Sequence, residues 1–231
     1  LGAGPFACPY RWRPMTWEYQ GKNYIHERAT ATQQTGFSFV AQCRGQYPSP
    51  IGGILWFGVD DTYSTCYVPM FCGITQIPNC FKEGNGDMMT YSNTSAFWLF
   101  NRVSNFAYSR YNDMIVDIQK VQKKLETDFQ QQVATQTQSL VDLYTKDATK
   151  GIDALNKFSA KAADEMFNAW QDLSNYLLVK YIDGNVKKEK DGKFENNGLN
   201  PSYSAQPAHP LYPEWFYKMI IEDAGENLQA K

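Results

Sequence analysis

The spacing of apolar residues changes near Thr94, and this change constrains the fold more than any other feature of the chain. Before Thr94, apolar and polar residues alternate in short runs with a period of two, which is typical of β-strands. After Thr94, apolar residues recur at steps of three and four, which is typical of amphipathic helices. The sequence therefore predicts an α+β fold in which strands come first and helices follow.

The first ninety residues predict antiparallel strands. Two aromatic-rich runs, 16–19 and 24–32, flank the tetrapeptide Gln-Gly-Lys-Asn at 20–23, a pattern that predicts a β-hairpin. Residues 37–43 alternate between apolar and polar side chains, as a half-buried strand does. Residues 51–59 carry almost no polar side chain, which predicts a strand covered on both faces, and 64–71 is expected to pair back onto it.

Two long helices are predicted downstream. The first runs from Thr94 to about Tyr144, with or without a break, and Ser92 or Thr94 is its candidate N-cap. A second helix begins after Gly151 and ends near Gly184, since glycine favours the left-handed conformation found at helix C-termini. We expect the two helices to form an antiparallel hairpin.

The C-terminal part reads as a surface loop, 185–209, followed by a short helix that Pro213 opens. Trp215, Met219 and Ile220 are predicted on the buried side of that helix. These patterns divide the chain into a β-rich part at 1–90, a helical hairpin at 91–184, and a loop with a helix that packs back at 185–231.

Composition excludes several classes of function. The formal net charge is only -2, with 22 basic and 24 acidic residues, so the chain has no basic field for nucleic acid. The longest apolar run is far shorter than the roughly 20 residues that a membrane-spanning helix needs. The five cysteines form no C-x-x-C pair and only two histidines accompany them, which argues against a zinc site.

Four segments carry a resemblance to a known family. In chain order they are PYRWRPMTWE (9–18), ERATATQQTGFSFVAQCRGQYPSPIGGILWFGVDDTYSTCYVPMFCG (27–73), NTSAFWLFNRVSNFAYSRYNDM (93–114) and YPEWFYKMIIEDAG (212–225). Together they resemble the C-terminal portion of bacterial N-terminal-nucleophile (Ntn) cysteine dipeptidases. The resemblance implies an αββα sandwich of antiparallel strands, a dipeptide substrate, and catalysis by a cysteine thiolate with no metal or organic cofactor.

The same resemblance implies that the nucleophile lies elsewhere. In an Ntn hydrolase the first residue of the mature chain attacks the substrate, and its own α-amine, with a pKa near 8, takes the proton. This chain starts with Leu1, so we expect it to be inactive without an N-terminal part of the same protein that carries the cysteine. Any export signal would lie in that part, which leaves the compartment open, and a homo-oligomer is expected only by analogy.

Cys8 is the alternative nucleophile within this chain. Cleavage after the small Ala7 would expose its amine, which would make the chain an amidase that matures by itself. Against this, Pro9 would restrict the reactive residue, and Cys8 falls well downstream of the nucleophile position in the resemblance. A structural role is the simpler interpretation.

Several polar residues are candidates for substrate recognition. Arg28 lies in a mostly uncharged, strand-like context, and its fork of donors suits a carboxylate or a developing oxyanion, although an ion pair with Glu27 or another carboxylate would also explain it. Asp60 and Asp61 follow a buried strand and could hold the α-ammonium of a dipeptide, or they could simply form the turn. Gln34 and Thr35 could bond the substrate backbone, or belong to a polar strand face.

A different class of function stays open beside the enzyme. An aromatic-rich β region could hold a ligand while the helices present a partner surface, as in a binding or interaction module without catalysis. An upstream reading frame that leads to a strand beginning with cysteine would favour the enzyme.

Overall fold

The computed structural model describes residues 5–8, 16–25, 31–181, 184–199, 203, 205 and 207–230. A separate hairpin comes first, formed by β1 (Thr16–Tyr19) and β2 (Lys22–Ile25), which pair antiparallel from Thr16 with Ile25 to Tyr19 with Lys22. Gln20 and Gly21 both have positive φ, 50° and 70°, the geometry that matches the twist of a two-residue hairpin. The predicted hairpin is confirmed in this part of the chain.

The main sheet has three antiparallel strands, β3 (Phe37–Cys43), β4 (Gly53–Val59) and β5 (Val68–Phe71), with β4 in the middle. A helical turn, α1 (Ser49–Gly52), precedes β4 because Pro48 accepts two backbone hydrogen bonds from Ile51 and Gly52. The third strand was predicted from Ser64 but begins at Val68. Ser64 and Thr65 instead bond to Ser104 and to the Val59 carbonyl, which fixes them in the connecting loop.

Coverage of the sheet is uneven. In β4, Ile54 and Val59 are buried, whereas Leu55, Trp56 and Phe57 are only half-buried, so the predicted cover on both faces is partial. The neighbouring β3 is more open than the predicted half-buried strand: Phe37 and Phe39 are 60% and 54% exposed. The sheet is therefore well covered along β5 and open along β3.

Three helices follow, α2 (Ala96–Ser109), α3 (Tyr111–Lys146) and α4 (Ala148–Tyr181). The long predicted helix is thus broken at Arg110, which leaves helical geometry with φ −158°. The N-cap of α2 is Ser95, without a side-chain cap bond, so the prediction of Ser92 or Thr94 is wrong. Ser92 and Thr94 use their hydroxyls on the side-chain oxygen of Asn85 and stabilise the preceding loop instead.

The predicted antiparallel hairpin of α3 and α4 is confirmed, and it holds most of the core. Apolar residues at the predicted three- and four-residue steps are buried, including Ile118, Phe129, Leu155 and Met166. Trp170 of α4 is fully buried and stacks on Phe100 of α2, with 4.3 Å between ring centroids. This stacking ties α2 to the helical hairpin.

A network of ion pairs joins α3 and α4 where α3 begins and α4 ends. Lys180 of α4 lies 2.9 Å from Asp117 of α3 and 3.1 Å from Glu189, which belongs to β6 (Glu189–Lys190). Tyr181 also donates to Asp117, at 2.7 Å. One cation therefore joins two helices to the segment that follows them.

The C-terminal segment differs from its prediction. The predicted loop contains a two-residue hairpin of β6 with β7 (Lys193–Phe194), and the last helix, α5 (Glu214–Ala224), buries no residue among those described. Trp215 and Met219 are 52% and 42% exposed, so their assignment to a buried side is wrong, whereas Ile220 is half-buried. An amphipathic pattern predicts a helix, but it does not say what covers the apolar face.

The predicted fold class is confirmed as mixed α+β, with antiparallel strands, long helices and a C-terminal helix. Within the described part of the chain, no helix is long and apolar enough to cross a membrane.

The turn between α3 and α4 predicts a stability effect at Gly151. A Cβ at this position would lie 2.5 Å from the Cα of Tyr144, a backbone atom that cannot rotate away. Gly151→Ala should therefore separate the helix ends and lower the free energy of unfolding by about 1 to 3 kcal/mol, measured by urea denaturation. Lys157→Ala, on the exposed side of α4, should change it by less than about 0.5 kcal/mol. Equal effects in the two variants would contradict this packing.

Candidate active site

The predicted site residues that the structure describes fall into three groups. Arg28 lies outside the described residues, so its prediction stays a prediction. Asp60 and Asp61 sit together at the end of β4, and Gln34 and Thr35 lie in the segment before β3. Cys8 packs against the apolar core that also contains Tyr111, at the start of α3. The described candidates therefore gather around one end of the sheet, beside α2.

Asp60 is buried against α2, with 1% of its surface exposed. Its backbone takes a positive φ of 63°, which turns the chain sharply as β4 ends, and its N–H donates to the Gly36 carbonyl. Asn101 donates to one carboxylate oxygen at 2.9 Å, and the Ser104 hydroxyl donates to the other at 2.7 Å. Burial raises the pKa of Asp60, although these two bonds oppose the rise.

Asp61 is equally buried but faces other donors. Its Oδ1 accepts the backbone N–H of Tyr63 at 3.1 Å, which closes the turn, and its Oδ2 accepts the Tyr108 hydroxyl at 3.0 Å. Burial, and then the negative charge of Asp61, raise the pKa of Tyr108. Tyr108 therefore remains a neutral donor to this carboxylate near neutral pH.

A second tyrosine pair joins the cluster to the N-terminal segment. Tyr63 and Tyr111 stack with ring centroids 6.1 Å apart, and burial together with Tyr63 raises the pKa of Tyr111. Asp61 and Cys8 add to this rise, which shows that both lie within electrostatic reach of Tyr111. The backbone N–H of Asn112 donates to the Phe6 carbonyl, which holds this short segment against the start of α3.

The segment before β3 is joined to the cluster by its backbone. Thr35 bonds back to the Thr32 carbonyl through both its N–H and its hydroxyl, at 3.0 and 2.7 Å, so it shapes a turn. Gln34 is exposed, whereas the side-chain oxygen of Gln33 is buried and accepts no hydrogen bond from the described residues. Of the three residues, Gln34 is the most accessible to a ligand.

Sequence reasoning missed the residues of α2 that complete the cluster. Asn101, Ser104 and Tyr108 follow one another at steps of three and four, so they share one face of α2. A polar stripe of this spacing within an otherwise apolar helix was the available signal. It was present in the segment 93–114, but it does not reveal which carboxylates it meets.

The other cysteines have different surroundings. Burial raises the pKa of Cys66, and it raises that of Cys80 to about 12, so both thiols stay protonated. Cys43 is exposed at the end of β3, and Cys72 is exposed in the turn that follows β5. In the described part of the chain, no group of three or more His, Cys, Asp or Glu residues is arranged to hold a metal ion.

The cluster therefore presents two adjacent carboxylates held by neutral donors in a largely dry environment. This arrangement suits recognition of a cationic group, because a charge-assisted hydrogen bond is stronger where water is excluded.

One comparison identifies the segment that contains this cluster. Residues 10–124 match the model of peptidase family C69, and the match confirms the resemblance to Ntn cysteine dipeptidases. The matched range includes both aspartates, all of α2 and the first part of α3. No curated protein matches the chain.

The raised pKa of Asp60 predicts a pH dependence of stability. The folded protein binds a proton at Asp60 at a higher pH than the unfolded chain, whose aspartates titrate near 3.9. As pH falls from 7 towards 4, the wild type should therefore gain stability relative to Asp60→Asn, which does not titrate. Urea denaturation of both proteins across this range measures the difference. A wild type that loses stability relative to Asp60→Asn as pH falls would contradict a raised pKa.

Proposed function

We propose, from the membership of residues 10–124 in peptidase family C69, that this protein hydrolyses dipeptides through a cysteine nucleophile. Peptidase activity in general is what the family indicates. The observation that carries the finer proposal is that the matched segment contains Asp60 and Asp61, a buried acidic pair suited to the free ammonium of a short peptide.

The environments of two buried cysteines argue against either of them as the nucleophile. A catalytic thiol needs a lowered pKa or an adjacent base, whereas burial keeps Cys66 and Cys80 protonated. From the family resemblance, in which the N-terminal residue of the mature enzyme is the nucleophile, we propose that the chain contributes recognition and support, and that it is inactive without the part that carries this cysteine.

Asp61 is the better candidate for the substrate ammonium. Asp60 is held by two side chains of α2, so its carboxylate is already committed to fastening the loop to that helix. Asp61 is reached through Tyr108 and the Tyr63 turn, and both bonds could rearrange around a bound cation. We propose Arg28 as partner of the substrate carboxylate or oxyanion, and Gln34 with Thr35 as partners of the substrate backbone.

Cys8 supports a second candidate function, an amidase that matures at this residue. In support of this candidate, Cys8 packs against the apolar core that contains Tyr111, and Tyr111 stacks on Tyr63. The following Pro9 weighs against it, because it would restrict the reactive residue.

The dipeptidase proposal predicts that the chain alone releases no amino acids. Chromatography of a dipeptide panel after incubation with the purified chain should show no turnover, because no described residue combines a nucleophile with a free α-amine. Turnover that survives Cys8→Ala would overturn the proposal, whereas turnover lost in that variant would establish the amidase instead.

If Asp61 binds the substrate ammonium, substitutions at the two aspartates should affect kcat/KM differently in the protein that includes the N-terminal cysteine. Asp61→Asn should lower kcat/KM for free dipeptides at least tenfold more than for N-acetylated ones, since a charge-assisted hydrogen bond contributes about 1.5 to 3 kcal/mol. Asp60→Asn is the matched control: it should alter thermal stability and leave the ratio between the two substrates nearly unchanged. Equal losses on both substrates in Asp61→Asn would remove the ammonium role.

A further inference from the structure

A groove separate from the acidic cluster lies between the sheet and α3. One wall is the face of β3 and β4 that carries Val40, Gln42 and Trp56, which the register places side by side. The opposite wall is the stretch of α3 from Glu126 to Thr137. The groove has a volume of about 670 Å³, enough for several amino-acid residues.

Glu126 stands at one end of the groove without a countercharge. Its Oε1 accepts the backbone N–H of Tyr67 at 3.0 Å, and Oε2 accepts no hydrogen bond from the residues that the structure describes. None of the Lys, Arg or His side chains in that part of the chain forms an ion pair with it. Burial raises the pKa of Glu126 because it disfavours the charged carboxylate. A bound cation would stabilise that charged form.

Arg44 lies at the other end of the groove and carries the opposite charge. The guanidinium donates to the Thr137 hydroxyl at 2.9 Å and to the Ile51 carbonyl, and it lies 5.0 Å from the ring centroid of Tyr47. No described carboxylate pairs with it. Burial lowers the pKa of Arg44, although Tyr47 partly offsets this effect. These contacts orient the guanidinium and leave its charge for an anion.

The two charges are too far apart to neutralise each other. Thr137, which Arg44 contacts, follows Glu126 by eleven positions along α3, or about 16 Å at the rise of an α-helix. An extended peptide advances about 3.3 Å per residue, so four or five residues span this distance and two do not.

The walls between the charges suit a peptide backbone. Gln42 and Gln130 line the groove, and each primary amide offers both donors and an acceptor, as a peptide unit requires. Gln42 accepts the Trp56 indole N–H at 3.0 Å through its oxygen, which fixes the amide and leaves its NH₂ for a ligand carbonyl. The half-buried Trp56 ring provides an apolar surface for a side chain.

We propose that this groove binds an extended peptide of four or five residues with free termini, its α-ammonium at Glu126 and its α-carboxylate at Arg44. Such a site goes beyond the proposed hydrolysis of dipeptides, because the ligand is longer and no reaction is required of it. It gives the protein a place to hold oligopeptides.

Titration calorimetry with the pentapeptide Ala-Gln-Phe-Gln-Ala tests the proposal on the chain itself. The free peptide should bind, while N-acetylation or C-amidation should each weaken binding at least tenfold, since each removes one terminal charge. The dipeptide Ala-Phe should bind at least tenfold more weakly than the free pentapeptide. Absence of binding at millimolar pentapeptide, or equal affinities for free and doubly blocked peptides, would overturn the proposal.

Glu126→Gln localises the binding to the groove. The glutamine retains an oxygen to accept the Tyr67 N–H, so the fold is kept, which circular dichroism verifies, and only the charge is lost. The variant should bind the free pentapeptide at least tenfold more weakly and the acetylated one as the wild type does.

Asp128→Asn is the matched control for this variant. Asp128 lies on the same helix and is paired with Lys124 outside the groove, so its replacement should leave both affinities unchanged. An unaltered affinity in Glu126→Gln, or an equal loss in Asp128→Asn, would contradict the assigned site. Hydrolysis plays no part in these measurements, so their failure would leave the peptidase proposal standing.

Discussion

The edge of β5 depends on α4, and much of the remaining structure depends on that contact. The Phe71 N–H donates to the Ser159 hydroxyl at 3.3 Å, and the same hydroxyl donates to the Pro69 carbonyl at 3.1 Å. One buried side chain thus satisfies backbone groups that an edge strand would otherwise leave unpaired. Asn156, one turn earlier, accepts the N–H groups of Thr75 and Gln76 and extends the attachment beyond the strand.

This attachment places the acidic cluster. With β5 held by α4, the paired strand β4 has a fixed position, and Asp60 follows directly at its end. The stacking of Phe100 on Trp170 then fixes α2 against the same helix. Ser104 and Tyr108 therefore reach the aspartates from an independent direction, and the geometry of the carboxylates reflects packing on α4 more than the local turn.

Periodicity explains how much of this arrangement could be predicted. Burial repeats every two residues in a strand and every three to four in a helix, so β1 to β4 and the helical hairpin were foreseeable from single segments. The start of β5 and the N-cap of α2 were not, because Ser64 and Ser92 have partners outside their own segment. The same limit applies to the site: Asp60 and Asp61 were recognised as a pair, but their contacts with Asn101 and Tyr108 are tertiary.

The partly buried charged side chains differ in whether a countercharge is paired with them. Lys180 is paired with two carboxylates at once, so its buried charge is neutralised and serves to hold α3, α4 and β6 together. Glu126 and Arg44 are also withdrawn from water, yet no described ion pair includes either of them. A half-buried charge without a countercharge destabilises the folded state, whereas a ligand of opposite charge relieves that effect. Since Lys180 and Asp117 form an ion pair at one end of α3, Glu126 on that helix and Arg44 beside it, both unpaired among the described residues, are better explained by an external partner than by stability.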